Sequence, residues 1–151
     1  MKLEDALKTN RFKDERHKAT LNIIYTAYWF KTHLNSVMKT YGITVEQFNV
    51  LRIIKGKHPE AICVKEIGNR MLEKSSNVPR IIDRLLLKHL VKRTTSKQDK
   101  RETLITLTEK GMEQLSIISK AVNEKTEAIL DISNEEAKQL HELLEKMRKE
   151  D

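Results

Sequence analysis

At 151 residues, with 38% apolar side chains, 34% charged side chains and a net charge of +7, the chain is sized for one domain with a real core. Only four Gly and two Pro interrupt it, which favours helix. One cysteine, Cys63, excludes an intrachain disulfide and argues against structural zinc; no run of about 18 apolar residues could span a membrane. The opening "MKLEDALKTNRFKDERHK" lacks the apolar segment of a signal peptide, so the expected compartment is the cytoplasm.

In chain order, residues 13–40 place Leu21, Ile24, Tyr25, Tyr28, Trp29, Thr32 and Val37 near a 3.6-residue period, predicting a long helix ended by Gly42. Thr44 and Gln47 read as a capping box for a second helix, whose buried face is Phe48, Val50, Leu51 and Ile54. Gly56 and Pro59 mark a turn. "VKEIGNRML" predicts a third helix too short to stand without neighbours. "EKSS" is a turn, with Ser75 or Ser76 capping a fourth helix that runs to about Lys88. Pro79 falls in its first turn, where a missing N–H costs little, and Val78, Ile81, Ile82, Leu85 and Leu86 face inward.

Two strands follow, at about 91–95 and 103–108, and flank a polar basic tip as a hairpin. Thr108 caps a fifth helix carrying Met112, Leu115, Ile118, Val122, Ile129 and Leu130. Ser133 and Glu136 form a capping box for a sixth, with Ala137, Leu140, Leu143, Leu144 and Met147. The expected fold is mainly α with a small β element.

The charge is concentrated. Residues 74–101 hold nine basic side chains and two acids, a net of +7, while the remainder holds 20 of each sign. This is the footprint of a nucleic-acid-binding element, although a solvated helix face with a Lys-rich loop would carry the same charge. The third and fourth helices, joined by a short turn, have the arrangement of a helix-turn-helix, whose second helix enters the major groove. Its first turn offers Ser75, Ser76, Asn77 and Arg80, with Arg84 one turn on. Asn suits adenine, Arg suits guanine or phosphate, and Ser suits phosphate. Ser and Asn at a helix start also serve as plain caps. A basic hairpin directly after a helix-turn-helix is a wing, and its tip carries Lys97, Asp99, Lys100 and Arg101.

The stretch "SSNVPRIIDRLLLKHLVKRTTSKQDKRETLITLTEKG" resembles the recognition helix and wing of the MarR family. The resemblance is carried by Arg80-Ile81-Ile82-Asp83-Arg84-Leu85 in the helix, by Asp99-x-Arg101 in the wing, and by Leu107-Thr108 with Gly111 three residues later. It extends over nearly the whole chain. It implies a mainly α single domain, with a winged helix-turn-helix at about 44–108 and dimerisation helices at about 1–40 and 109–151. It implies a homodimeric regulator, a repressor by expectation, on a pseudo-palindromic operator in double-stranded DNA. Arg101 would enter the minor groove, held by Asp99; a solvent-exposed loop with an incidental ion pair is the plainer alternative.

The chain departs from the family pattern in three places. His89 stands where Gly is usual, Leu86 and Leu87 where charge is common, and Pro79 where Thr or Ser is common. His tolerates positive φ better than most residues, so the turn is expected to survive; Leu86 and Leu87 suggest extra burial.

Family members also bind small phenolic or aromatic effectors between the dimerisation helices and the winged helix. Tyr25, Tyr28, Trp29 and His33 are the candidates for such a pocket, though an aromatic stripe at helical spacing also suits a core. Cys63, at the expected cap of the third helix, is a candidate redox thiol, but it is not where oxidation-sensing members place theirs. No His/Cys/Glu cluster has metal-ligand spacing, and no nucleophile–base pair or phosphate-cradling Gly loop points to an enzyme or a cofactor. A non-sequence-specific nucleic-acid binder would account for the charge but not for Asn77 and Arg80.

Overall fold

The computed structural model describes residues 1–96 and 99–148. In chain order the elements are α1 (Leu3–Leu7), α2 (Glu15–Thr40), α3 (Val45–Lys55), β1 (Ile62–Cys63), α4 (Val64–Arg70), α5 (Val78–Leu87), β2 (Val91–Thr95), β3 (Thr103–Leu107), α6 (Glu109–Ile129) and α7 (Asn134–Met147). The fold is mainly α, as expected, with one small antiparallel sheet of order β1-β3-β2. In its hairpin Val91 faces Leu107 and Thr95 faces Thr103; Ile62 of β1 pairs with Ile105.

The helix starts follow their side chains. Thr44 Oγ1 accepts the Gln47 N–H at 3.1 Å and the Gln47 side chain accepts the Thr44 N–H at 3.1 Å, so the capping box of α3 is complete. Ser133 and Glu136 close the same box at α7, and Thr108 Oγ1 accepts the Gly111 N–H at 2.9 Å at α6. Each such cap satisfies donors that the helix cannot, and is worth about 1 kcal/mol.

The core lies between α3, α5, the sheet and the first half of α6. Val50, Leu51, Ile54, Ile82, Leu85 and Ile105 are all fully buried. Burying each contributes about 2 kcal/mol against the entropy of ordering the chain. The expected inward face of α5 is confirmed at Val78, Ile82 and Leu85, with Ile81 and Leu86 packed against the core edge.

Several expectations are corrected. The first long helix begins at Glu15, because Asp14 accepts the His17 N–H at 2.8 Å and so caps it. A short α1 precedes it. The helix containing "VKEIGNR" stops at Arg70, and Met71 is extended and buried. Asn77, not Ser75 or Ser76, caps α5: its Oδ1 accepts the Arg80 N–H at 3.2 Å. The two-residue β1 has no sequence pattern of its own and is set by pairing to β3. Leu87 is 80% exposed rather than buried, because it falls on the helix face opposite Ile82 and Leu85.

The end of α5 is a Schellman turn. His89 has φ 58°, Leu90 N–H donates to the Leu85 carbonyl at 3.0 Å, and His89 N–H donates to Leu86 at 2.9 Å. Buried Leu90 follows. Its carbonyl accepts the Thr108 N–H at 3.1 Å and lies directly beneath Gly111, where any Cβ would collide with it. The Leu-Thr-x-x-Gly phrase is therefore a packing requirement: Thr108 caps α6, and Gly111 lets that helix touch the end of α5.

Gly111→Ala should accordingly lower unfolding free energy by about 3 kcal/mol, since backbone on both sides must move. His89→Gly should raise it by about 1 kcal/mol by relieving the left-handed conformation. Urea unfolding should show opposite shifts in midpoint at unchanged slope.

Candidate nucleic-acid interface

Helix α5 is amphipathic by construction. Its apolar side is locked in the core, so its other side must face solvent. At 100° per residue Arg80, Arg84 and Leu87 share one exposed stripe. Among the described residues, neither the Arg80 nor the Arg84 guanidinium has a protein partner, leaving both free to donate to an external acceptor. Asn77 is exposed at the helix start with its Oδ1 already engaged as the cap. Ser75 is exposed. Ser76 is half-buried, and its hydroxyl is turned in without a hydrogen-bond partner, facing a crevice of about 250 Å³ shared with Gln47 and Arg80.

The wing stands beside this helix. Arg93 of β2 meets Asp83 of α5 at 2.6 Å. Both side chains are half-exposed, so the pair is worth under about 1 kcal/mol; its effect is on the angle between hairpin and helix. Sequence reading missed this pair. Asp83 lay within a recognised phrase, but nothing in the pattern pointed across the turn to Arg93.

At the tip, Ser96 N–H donates to the Glu102 carbonyl at 2.9 Å, and Glu102 N–H donates to the Asp99 carbonyl at 2.9 Å. Asp99 Oδ1 accepts the Arg101 N–H at 2.9 Å, an Asx turn. The Arg101 side chain then folds back on the same carboxylate, Nε to Oδ1 at 3.2 Å and Nη2 to Oδ2 at 3.4 Å. The expected Asp99–Arg101 pairing is thus present, with the Arg101 side chain 91% exposed. Lys100 is exposed next to it; Lys97 lies outside the described residues. The Arg101 N–H first, and its guanidinium second, hold the Asp99 carboxyl below its usual 3.8. Arg101, Arg93, Asp83 and Pro79 line one cleft of about 500 Å³, which places the wing tip and the start of α5 on the same side of the molecule.

Tyr25, Tyr28, Trp29 and His33 lie on α2. Trp29 and His33 meet edge to face with centroids 4.6 Å apart, and Phe30 also meets Trp29 edge to face at 5.3 Å. Tyr25 is half-buried, whereas Tyr28 is 70% exposed and stands apart. Cys63 caps α4, its Sγ accepting the Glu66 N–H at 3.4 Å. Among the described residues no group of His, Cys, Asp and Glu could hold a metal ion. No helix among them is long and apolar enough to cross a membrane.

Comparison with known proteins agrees with this geometry. Residues 32–118 match the family of the transcriptional regulator SarA/Rot. The HTH-type transcriptional regulator MhqR of Bacillus subtilis (strain 168) is 30% identical over 118 residues, which cover 76% of this chain and 79% of MhqR. A MarR transcription factor from Planctomyces limnophilus superposes with a TM-score of 0.70 at 28% identity, over 91% of this chain and 98% of that one. MepR of Staphylococcus aureus, in a complex with DNA, shares the fold with a TM-score of 0.76 at 21% identity, over 85% of this chain and 94% of that one.

The Asp99 carboxylate gives a direct test of the tip geometry. Its depressed pKa means that the Asx turn is intact above 3.8 and is lost only as pH falls through the lower, folded value. An NMR titration should show the Arg101 amide resonance moving with a midpoint below 3.8. A midpoint at or above that value would mean the carboxylate does not hold Arg101 in solution.

Proposed function

The chain belongs to the SarA/Rot family of transcriptional regulators, of the MarR winged-helix type, and from that premise we propose that it is a homodimeric, sequence-specific repressor acting on a pseudo-palindromic operator in double-stranded DNA. The observation that carries this reading is the shared face of α5 and the wing. Unpartnered Arg80 and Arg84 run along one side of the helix, and Arg101, oriented by Asp99, shares a cleft with Pro79 and Asp83 on the adjoining side.

The chemistry follows from the groove shapes. The α5 face fits the major groove, where Arg80 can donate in a fork to guanine and Arg84, Lys100 and Ser75 can neutralise or bind phosphates. Asn77 offers its amide N–H groups while its oxygen stays with the helix cap. The guanidinium of Arg101 suits a narrow minor groove, where the negative potential is strongest. Lys97 completes the basic tip in sequence.

Residues 44–108 form the winged helix-turn-helix, and 1–40 with 109–151 form the dimerisation region. Supporting this division, α7 buries none of its residues within one chain, and Leu140, Leu143 and Met147 are exposed, as are Ile24 on α2 and Ile117 on α6. A two-fold partner covering these faces would set two recognition helices one helical turn apart. The Trp29–His33 pair, with Tyr25 and Tyr28 on the same helix, is the place for a small aromatic or phenolic effector that releases DNA. The compartment is the cytoplasm.

Three measurements check this. Log K for a selected operator should fall linearly with log salt, at about −0.9 per phosphate neutralised. Arg101→Ala should cost about 1–3 kcal/mol of specific binding without unfolding the domain, and Arg80→Ala should relax preference at one position in each half-site. A flat salt dependence would remove the DNA-binding reading; equal affinity for scrambled duplex would favour a non-sequence-specific binder. For assembly, deletion from Ser133 onward should abolish dimer and operator affinity together. Sedimentation of that truncation as an intact dimer would exclude α7 from the interface.

A further inference from the structure

Lys31 sits in the middle of α2, two residues past Trp29. Its ammonium lies 3.1 Å from Glu73 Oε2 and 3.5 Å from Glu46 Oε1. Glu46 belongs to the first turn of α3, and Glu73 to the turn that leads into α5. One cation therefore joins the long helix, the helix-turn-helix scaffold and the approach to the recognition helix. At the other end of α5, Lys88 Nζ donates to the Gly42 carbonyl at 2.8 Å, just beyond the end of α2. The recognition helix is thus tied near α2 at both ends by lysines.

The two ends differ in what else holds them. Met38, close to the C-terminal end of α2, is the one fully buried residue of that helix. The Lys88 tie therefore lies beside the packed core. Around Lys31, by contrast, α2 contributes no fully buried side chain, and polar bonds set its distance from the turn before α5. We propose that Lys31 is a positioning residue for operator recognition: by bridging Glu46 and Glu73 it fixes where the recognition helix begins relative to α2. In a homodimer built on α2, that distance sets the spacing of the two recognition helices. The inference rests on the homodimeric, operator-specific reading above.

Charge alone gives no reason for this arrangement. One ammonium between two carboxylates leaves a net negative charge near the DNA-facing end of α5, which opposes phosphate binding. The Lys31 donors are directed at carboxylates, and the hydrogen bond to the Glu73 carboxylate raises the ammonium pKa above its usual 10.5, so Lys31 keeps its charge at neutral pH. What the bridge supplies is geometry. Hydrogen bonds to base edges weaken steeply when donor and acceptor move by more than a few tenths of an ångström, so a recognition helix that starts in the wrong place loses specific contacts while keeping diffuse attraction to phosphate.

The test uses the full chain, a duplex selected by the unaltered protein from random sequence, and a scrambled duplex of the same composition. Lys31→Ala should weaken binding to the selected duplex by about tenfold. Its affinity for the scrambled duplex and its salt slope should be unchanged, and Lys31→Arg should restore most of the loss. Glu73→Gln is the sharper variant. Removing a carboxylate near DNA would tighten binding if charge governed, whereas loss of the bridge should weaken it. The double variant should then be no worse than Lys31→Ala alone. Parental affinity in Lys31→Ala, a salt slope shallower by about 0.9, or tighter binding by Glu73→Gln would each overturn the proposal. Should Lys31→Ala fail to fold, Glu73→Gln decides the matter alone. An unaltered protein that does not prefer its selected duplex would instead overturn the operator reading beneath it, a result distinct from any behaviour of the variants.

Discussion

The placement of α5 and the wing depends on the meeting of two backbones at Leu90. Here α5 ends, the hairpin begins and α6 returns to pack against both. The Leu90 carbonyl takes the Thr108 N–H, and Thr108 Oγ1 donates to the His89 carbonyl at 2.8 Å while accepting from Gly111. Lys110 Nζ reaches the Lys88 carbonyl at 3.1 Å. The carbonyls of Lys88, His89 and Leu90, just past the end of α5, are therefore satisfied by the backbone and side chains at the start of α6, and Gly111 leaves room for that close approach. The direction in which the wing leaves the domain follows from this joint, and the Asp83–Arg93 pair refines it.

Stability and recognition occupy separate sets of residues. The buried set is almost wholly apolar; Gln47 and Ser96 are the buried polar residues among those described, and Gln47 closes the α3 cap. The described cations of residues 74–101 lie outside it. Their ion pairs are exposed and individually weak, so they add little to folding. That leaves them free to vary without cost to the fold, while the apolar side of α5 stays fixed. Exposed Leu87, on the same stripe as Arg80 and Arg84, fits this division. It has no place in the core, and so is explained only by the surface on which it stands.

Much of this was legible in the sequence because it is encoded locally. Capping boxes at Thr44–Gln47 and Ser133–Glu136, the cap at Thr108 and the strand limits of the hairpin all depend on residues within a few positions of each other. The left-handed turn at His89 and the pairing of Asp99 with Arg101 were expected from the family resemblance of the helix and wing phrases, not from local pattern. What escaped was set by distant partners. β1 exists only because Ile105 is there to pair with Ile62. The choice of Asn77 over Ser75 and Ser76 as cap depends on where the preceding turn is anchored, with Leu72 N–H donating to Asn49 Oδ1 at 3.1 Å. Asp83–Arg93 and Lys31–Glu73 join residues across turns and helices, and no periodicity announces such pairs.

Those long-range pairs share a property that bears on how the protein works. Each connects elements whose relative placement the apolar core leaves loosely defined: the hairpin against α5, and the middle of α2 against the helix-turn-helix. Apolar contacts are short-ranged and non-directional, so they fix that two elements touch better than they fix the angle between them. Charge-assisted hydrogen bonds add direction at small net cost in stability. In a winged-helix regulator, whose helix and hairpin must keep a fixed relation to one another, direction is the quantity that matters. The polar ties lie at the positions where an error of angle would be carried furthest toward DNA.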